Sequence, residues 1–454
     1  MSGLKLFQPF LQTKMLKLED GCIFSISDDN LEFNHMWLDD KYVTKLDDNM
    51  NIVLDSFNNK CYLLNNDELV GDYFPQERSD DSHVDCNSVS FILAITYKCN
   101  FRCTYCYQQH DVSLDRRLIS EENLEKILAI ISDYMELNPD KNVDIGLFGG
   151  EPLLPENEKA FDRVLLFCKE KRIPLHITTN GFYLRRFLKK LIINRKFISS
   201  INPTIDSTEL NYLTRCSLDK SQNCSESTKE LIDCIKILIS YGVKVNLATN
   251  IDRLNYDKIW DMKNDLESLD LLTNPNFVWS LGRVDDRLFE TGYPHILKES
   301  ELIGEIMKHK LPDNMHIAFL KTTNNLVRKL GIITNQLEKK GKNNYCWNSS
   351  KEDMAFYVDN NLKTYRCTYT VGRPKYNIFD FSLDNLLKYE VQDKTSDSYK
   401  ECMGCKIGGF CGGGCQLSHK VNFEKCCEYE KENFEYFIDN IFIPEVRRKY
   451  AQFC

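Results

Sequence analysis

The 454-residue chain is 42% hydrophobic and 28% charged, with a formal charge of −9 and a pI near 5.6. That composition accommodates a large buried core in two or three domains and excludes a broad nucleic-acid-binding surface, which would show as clustered Lys and Arg. No run nears the roughly 20 apolar residues of a membrane span, and the start MSGLKLFQPFLQTK has no apolar signal-peptide core, so a cytoplasmic protein without a membrane partner is expected.

Residues 1–88 carry short apolar pieces, CIFSIS, NIVLDSF and KCYLLNN, among acidic turns, which predicts a small separate α+β domain. From about residue 90 a regular alternation begins. SFILAIT, VDIGLFGG, PLHITTNG, ISSINPTID, VKVNLATNID and NFVWSLGRV read as strands. Between them EENLEKILAIISDYMEL, AFDRVLLFCKEK, LRRFLKKLI, STKELIDCIKILISYG and YDKIWDMKNDLESL carry apolar residues at helical spacing. Six such units over residues 89–300 predict an α/β fold, a partial (β/α)6 TIM-type barrel; a doubly wound sheet gives much the same pattern. In both architectures ligands gather at the C-terminal ends of parallel strands, and Cys99, Gly149, Gly150, Glu151, Asn180, Asp206 and Asn250 all fall at or just after such ends. Residues 301–345 read as a mostly helical connection, and residues 346–454 as a cysteine-rich domain.

Nineteen cysteines in a large chain of this kind point to metal ligation rather than disulfides. Scattered thiols such as Cys22, Cys61, Cys168 and Cys234 are expected to be small buried hydrophobes. Cys99-x3-Cys103-x2-Cys106 is different, because it places three thiols on one tight loop after a strand. A [4Fe–4S] cluster held by three cysteines keeps one iron open for a ligand, whereas structural zinc takes four closed ligands. A zinc site completed by His110, or three incidental core thiols, are the competing readings.

The segment ITYKCNFRCTYCY resembles the Cys-x3-Cys-x2-Cys signature of radical S-adenosylmethionine (SAM) enzymes. The resemblance implies that Cys99, Cys103 and Cys106 hold a [4Fe–4S] cluster whose open iron chelates SAM. Reductive cleavage of SAM would then give methionine and a 5′-deoxyadenosyl radical, with flavodoxin or ferredoxin as electron donor. It further implies that Tyr105 lies against adenine, that Gly149, Gly150 and Glu151 of the GGEP segment meet the methionyl ammonium, and that Thr178 and Asn180 reach the ribose or carboxylate. Asp206, in PTID, resembles an acidic residue of the family, and Arg215, nine residues on, approximates an arginine that pairs with the SAM carboxylate. The family's glycine-rich fifth-strand segment has no counterpart in VKVNLATNID.

Cys402, Cys405, Cys411 and Cys415, with GFCGGGC among them, are followed by Cys426 and Cys427. A paired-knuckle zinc ribbon would explain such a set. The run also resembles the SPASM domain, which implies two auxiliary [4Fe–4S] clusters. Cys402, Cys405, Cys411 and either Cys426 or Cys427 would hold one, and Cys346, Cys367 and Cys415 the other. Glu352 or an open iron would complete the second. The SPASM subset implies a maturase that abstracts hydrogen from a ribosomal precursor peptide and forms a thioether or another crosslink, with residues 1–88 as a leader-recognition module or a structural cap. A sulfatase-maturing or small-molecule dehydrogenase is the alternative enzyme, and a non-catalytic metal-binding scaffold the alternative of another class.

Overall fold

The computed structural model describes seven strands between residues 13 and 72, residues 87–318 apart from 210, 216–223 and 287–291, residues 353–390, 399–402 and 405, and residues 407–444. It divides into two compact units. One comprises Met1–Ser82, Leu320–Cys346 and Lys394–Cys454, and the other His83–Phe319 and Trp347–Asp393. Cys346, Glu352, Cys454 and the stretch from 319 to 345 lie outside the described residues.

In the first unit β1 (Thr13–Lys17) and β2 (Ile23–Ser27) form an antiparallel hairpin. A five-stranded antiparallel meander follows, built from β3 (His35–Leu38), β4 (Lys41–Lys45), β5 (Met50–Asp55), β6 (Lys60–Asn65) and β7 (Glu68–Asp72). Among the described residues this segment holds these seven strands. Each short apolar piece between acidic turns is one limb of a hairpin.

The second unit is built on parallel strands: β8 (Ser88–Ala94), β9 (Asn142–Phe148), β10 (Leu175–Thr179), β11 (Ile198–Pro203), β12 (Val245–Ile251) and β13 (Phe277–Arg283). These are the six expected strands. Two more extend the row: β14 (Met315–Ala318) beside β13, and β15 (Asp353–Asp359), which pairs parallel to β8 from Asp353↔Ser88 to Asp359↔Ala94. Antiparallel β16 (Lys363–Tyr365) and β17 (Phe379–Asp380) complete the β15 side. The two outer parallel strands do not pair with each other, so the barrel stays open. Within the connection read as mostly helical, a helix (Glu299–Ile306) precedes the strand at 315–318.

Alternation along the strands decides which face meets the helices. Val89, Phe91 and Leu93 on β8, Val143, Ile145 and Leu147 on β9, and Val245, Leu247 and Ile251 on β12 are buried in one core. That core is shared with the helices α2 (Glu121–Leu137), α3 (Glu158–Lys171) and α4 (Leu184–Ile193). On α2, Leu124, Ile127, Leu128, Ile131 and Tyr134 recur at helical spacing and are buried, and Ser120 caps the first turn by accepting from the Asn123 amide at 3.1 Å. The other face of the strands is polar. Ser90 donates to Asp144 at 2.7 Å, His176 meets Ser200 at 3.1 Å, and Ser280 donates to Asn246 at 2.6 Å. The apolar face thus anchors the sheet under its helices and leaves the polar face and the strand ends for chemistry.

Candidate cofactor site at the strand ends

The three-cysteine loop leaves β8 and is held against the turn after β9. Gly150 N–H donates to the Thr96 carbonyl at 2.8 Å, and Glu151 N–H to the Lys98 carbonyl at 2.9 Å. A Cβ on either glycine would sit 2.2 Å from one of those same two carbonyl oxygens, and Gly149 holds φ at +129°. The glycine pair therefore lets two loops of the protein pack closely, which fixes the GGEP backbone beside the three-cysteine loop.

Cys99, Cys103 and Cys106 are free thiols on this loop. Cys106 N–H donates to the Cys103 carbonyl at 3.1 Å, and Phe101 N–H points at Cys99 Sγ at 3.3 Å. Asn180, at the end of β10, brings its side-chain amide to 3.7 Å from the same sulfur. Burial, joined by the charge of Glu151, pushes the Cys99 thiol up to about 11, and burial pushes Cys103 up to about 12. Metals and clusters bind the thiolate, so loading this loop displaces protons.

Glu151 braces two strand ends. Its side chain is only 1% exposed and faces inward. One oxygen accepts from Leu153 N–H at 2.8 Å and Thr179 Oγ1 at 2.7 Å, the other from Asn180 N–H at 2.6 Å. It ties the end of β9 to the end of β10 and so places Asn180 beside Cys99. Burial pushes its carboxyl up to about 6 in spite of those three donors. The neighbouring Thr178 is exposed on the opposite face of β10, as alternation requires.

Tyr105, Asp206 and Arg215 converge on one hydrogen-bond hub. The Tyr105 hydroxyl donates to Asp206 Oδ2 at 2.7 Å and accepts from Arg215 Nη1 at 3.0 Å and Asn250 Nδ2 at 2.9 Å. Asp206 also accepts from Thr214 Oγ1 at 2.9 Å and from the Asn250 amide at 3.0 Å. Burial raises its carboxyl above the usual range, and the Arg215 guanidinium opposes that rise. The same guanidinium stands 5.5 Å from the centre of the Phe101 ring and lowers the Cys103 and Cys106 thiols electrostatically. Arg215 is 6% exposed, and its Nε has no hydrogen-bond partner among the described residues. An orphaned donor on a buried cation beside three thiols fits a carboxylate ligand.

Sequence reasoning missed two groups at this mouth. Tyr293, from the loop after β13, donates to Asp252 Oδ2 at 2.5 Å and sets its ring edge-on to Tyr105 at 6.4 Å. Neither Tyr293 nor Asp252 belongs to a motif, and only the position of Asp252 just beyond a strand end marks it. Asn250 does reach the hub, although its segment lacks the family's glycines.

The other cysteines fall in different places. Cys367, in the sheet unit, opens a tight turn after β16 and its carbonyl accepts from the amides of Thr370 at 3.0 Å and Val371 at 3.2 Å. In the other unit Cys402, Cys405, Cys411, Cys426 and Cys427 line one cavity with His419. The short helix α10 (Gly408–Cys411) ends in Gly412, Gly413 and Gly414, all at positive φ, and a Cβ on Gly414 would lie 3.5 Å from Cys426 Sγ and 3.9 Å from Cys411 Sγ. The run ends the helix as a left-handed cap: Gly412 N–H donates to the Gly408 carbonyl at 2.8 Å and Gly414 N–H to the Cys411 carbonyl at 3.5 Å. Cys415 stands apart as the residue before α11 (Gln416–Phe437). That helix breaks at Asn422, whose side chain accepts from Lys425 N–H at 3.0 Å and caps the second half, so Cys426 and Cys427 sit in its first turn. Among the described residues no three His, Cys, Asp or Glu side chains close on a single metal ion. A four-iron cubane takes its thiolates from separate corners and accepts the wider spread.

Among the described residues no helix is long and apolar enough to cross a membrane. Residues 93–266 match the family profile of the Radical SAM superfamily. A Methanocaldococcus jannaschii protein named for glycyl-radical enzyme activation is 30% identical over 171 residues, 38% of this chain and 58% of that one. The GTP 3′,8-cyclase of Nautilia profundicola is 27% identical over 181 residues, 40% of this chain and 50% of that one. The chain thus spans about half the length of the curated relatives it matches. Two solved structures share the fold. That of anSMEcpe with bound AdoMet and the Cp18Cys peptide has a TM-score of 0.57 at 18% identity, over 80% of this chain and 99% of that one. Streptococcus suis SuiB bound to the precursor peptide SuiA has a TM-score of 0.52 at 15% identity, over 72% of each. The three-cysteine loop lies inside the matched region, so the part of the chain that carries it is similar to the Radical SAM superfamily, whose enzymes use SAM and a [4Fe–4S] cluster.

Proposed function

We propose that the protein is a radical SAM peptide maturase that abstracts hydrogen from a ribosomal precursor peptide and directs the product radical to a crosslink, a thioether where the peptide supplies a thiol. The observation that carries the reading is the placement of three free thiols on one loop beside a buried, partly unsatisfied Arg215. When bound, the cluster and SAM supply a one-electron cleavage that yields the 5′-deoxyadenosyl radical.

The protein's own residues do the positioning. Cys99, Cys103 and Cys106 would hold the cluster, with Asn180 aimed at Cys99 by the Glu151 brace. The Arg215 guanidinium would take the SAM carboxylate, and the Tyr105 ring, fixed through its hydroxyl by Asp206 and Asn250, would lie against the adenine. Gly149, Gly150 and Glu151 shape this floor from behind. Thr178 would face the ribose from the polar side of β10.

A peptide substrate is supported by the two structural neighbours, each seen with a peptide bound. Among the described residues β3 and β7 are the edge strands of the meander, where an extended leader would add as a further strand. Cys402, Cys405, Cys411 and Cys426 or Cys427 would hold one auxiliary [4Fe–4S] cluster, and Cys346, Cys367 and Cys415 the second. Flavodoxin or ferredoxin would deliver the electron.

The test is anaerobic reconstitution with iron and sulfide, reduction with dithionite and incubation with SAM. The expected products are 5′-deoxyadenosine and methionine, with deuterium appearing in the deoxyadenosine when a deuterated precursor peptide is supplied. Bound zinc without iron and no 5′-deoxyadenosine would sink the enzyme reading. Deoxyadenosine that never gains deuterium from the peptide would sink the substrate class.

A further inference from the structure

The cavity of the cysteine-rich unit holds an imidazole that the cysteine count does not require. His419 Nε2 stands 3.9 Å from Cys402 Sγ. The ring is confined between Tyr399 and Phe423, whose rings pack tilted against it at 38° and 58°, each with ring centres 4.5 Å distant. Its own backbone amide donates to the Cys415 carbonyl at 2.8 Å, which fixes the turn of α11 that carries it. Five thiols line the same cavity, so a four-cysteine cluster can form without nitrogen ligation. We propose that His419 is a positioning residue whose Nε2–H donates to the Cys402 sulfur and raises the reduction potential of the auxiliary cluster in this cavity. The inference rests on the reading that this cavity holds such a cluster.

The physical reason is the charge on the sulfur. One-electron reduction makes the cluster and its thiolates more negative, and an N–H aimed at a ligating sulfur stabilises that added charge. A donor at fixed distance therefore favours the reduced form. The two aromatic neighbours make the effect directional by holding the imidazole edge toward Cys402 instead of toward solvent. Lys431, which acts on Cys402 and Cys427, supplies a second positive field, so His419 modulates the potential in addition to that charge.

The experiment uses the full chain with Cys99, Cys103 and Cys106 replaced by Ala, so that only auxiliary clusters remain, and follows EPR signals through a potentiometric titration with dithionite. His419→Phe keeps a ring between Tyr399 and Phe423 and removes the donor. His419→Gln keeps a donor. The expected result is a shift of one auxiliary midpoint to more negative potential in His419→Phe, largely restored in His419→Gln, at parental iron content. Unchanged midpoints in His419→Phe at full iron content would overturn the inference alone. If His419→Phe loses its iron, His419→Gln decides: iron and potential retained support the donor role, and iron lost with the donor present overturns it. Strong nitrogen hyperfine coupling in the parent would make His419 a ligand and overturn the outer role. Iron content unaffected by Cys402→Ala would remove the cluster reading itself, and this inference with it.

Discussion

Replacing Glu151 by Gln tests the brace behind the cysteine loop. Its carboxyl is pushed from 4.5 up to about 6 by burial, against the pull of three hydrogen-bond donors. The folded protein therefore keeps this proton up to about pH 6, while the unfolded chain releases it near pH 4.5. Between those values the native state binds more protons than the unfolded one, so stability falls as pH rises and levels off above about 6. The rise corresponds to about 2 kcal/mol at about 1.4 kcal/mol for each tenfold change. Glutamine has no proton to lose, so its stability lacks this component. The assay is urea unfolding from pH 4.5 to 7.5, followed by the fluorescence of the fully buried Trp279. The stability of the parent minus that of Glu151→Gln should fall by about 2 kcal/mol across pH 4.5 to 6 and stay constant above. Parallel profiles would refute the claim that Glu151 is buried and proton-linked.

Gly150→Ala places a Cβ 2.2 Å from the Lys98 carbonyl and must push the loop outward; reconstituted protein should lose the iron of one cluster while the auxiliary EPR signals persist. Tyr105→Phe removes the oxygen that Arg215 and Asn250 donate to and that fills Asp206 Oδ2. Stranding those buried groups should cost on the order of 2–4 kcal/mol in stability and weaken SAM binding by calorimetry. Arg215→Met keeps much of the side-chain volume, removes a positive charge beside Cys103, and should shift the first cluster to more negative potential as well as weaken SAM. An unchanged SAM affinity would remove Arg215 from the carboxylate site.

Much of the site's identity was written in the sequence by itself. The spacing of Cys99, Cys103 and Cys106 puts three thiols on one loop, and the repeated strand and helix periods over residues 89–300 announce a parallel sheet, because both are set by neighbours a few residues apart. What the spacing could not show is which groups face each other across the chain. β15 joins β8 from more than 250 positions away, and its DMAFYVD falls inside residues 346–454, which read as a cysteine-rich domain and not as part of the sheet. Gly149 and Gly150 are legible as glycines that permit close approach, but only packing sets the carbonyls of Thr96 and Lys98 2.2 Å from where their Cβ atoms would be. Glu151 offers acceptors in the sequence, but only packing decides that Leu153, Thr179 and Asn180 take them. Asn250 and Tyr293 carry no motif and reach the mouth because their strands end there. Spacing within one loop is local chemistry, whereas the partner of a buried polar group is settled by long-range packing, and here that packing made Glu151 a brace between two strand ends.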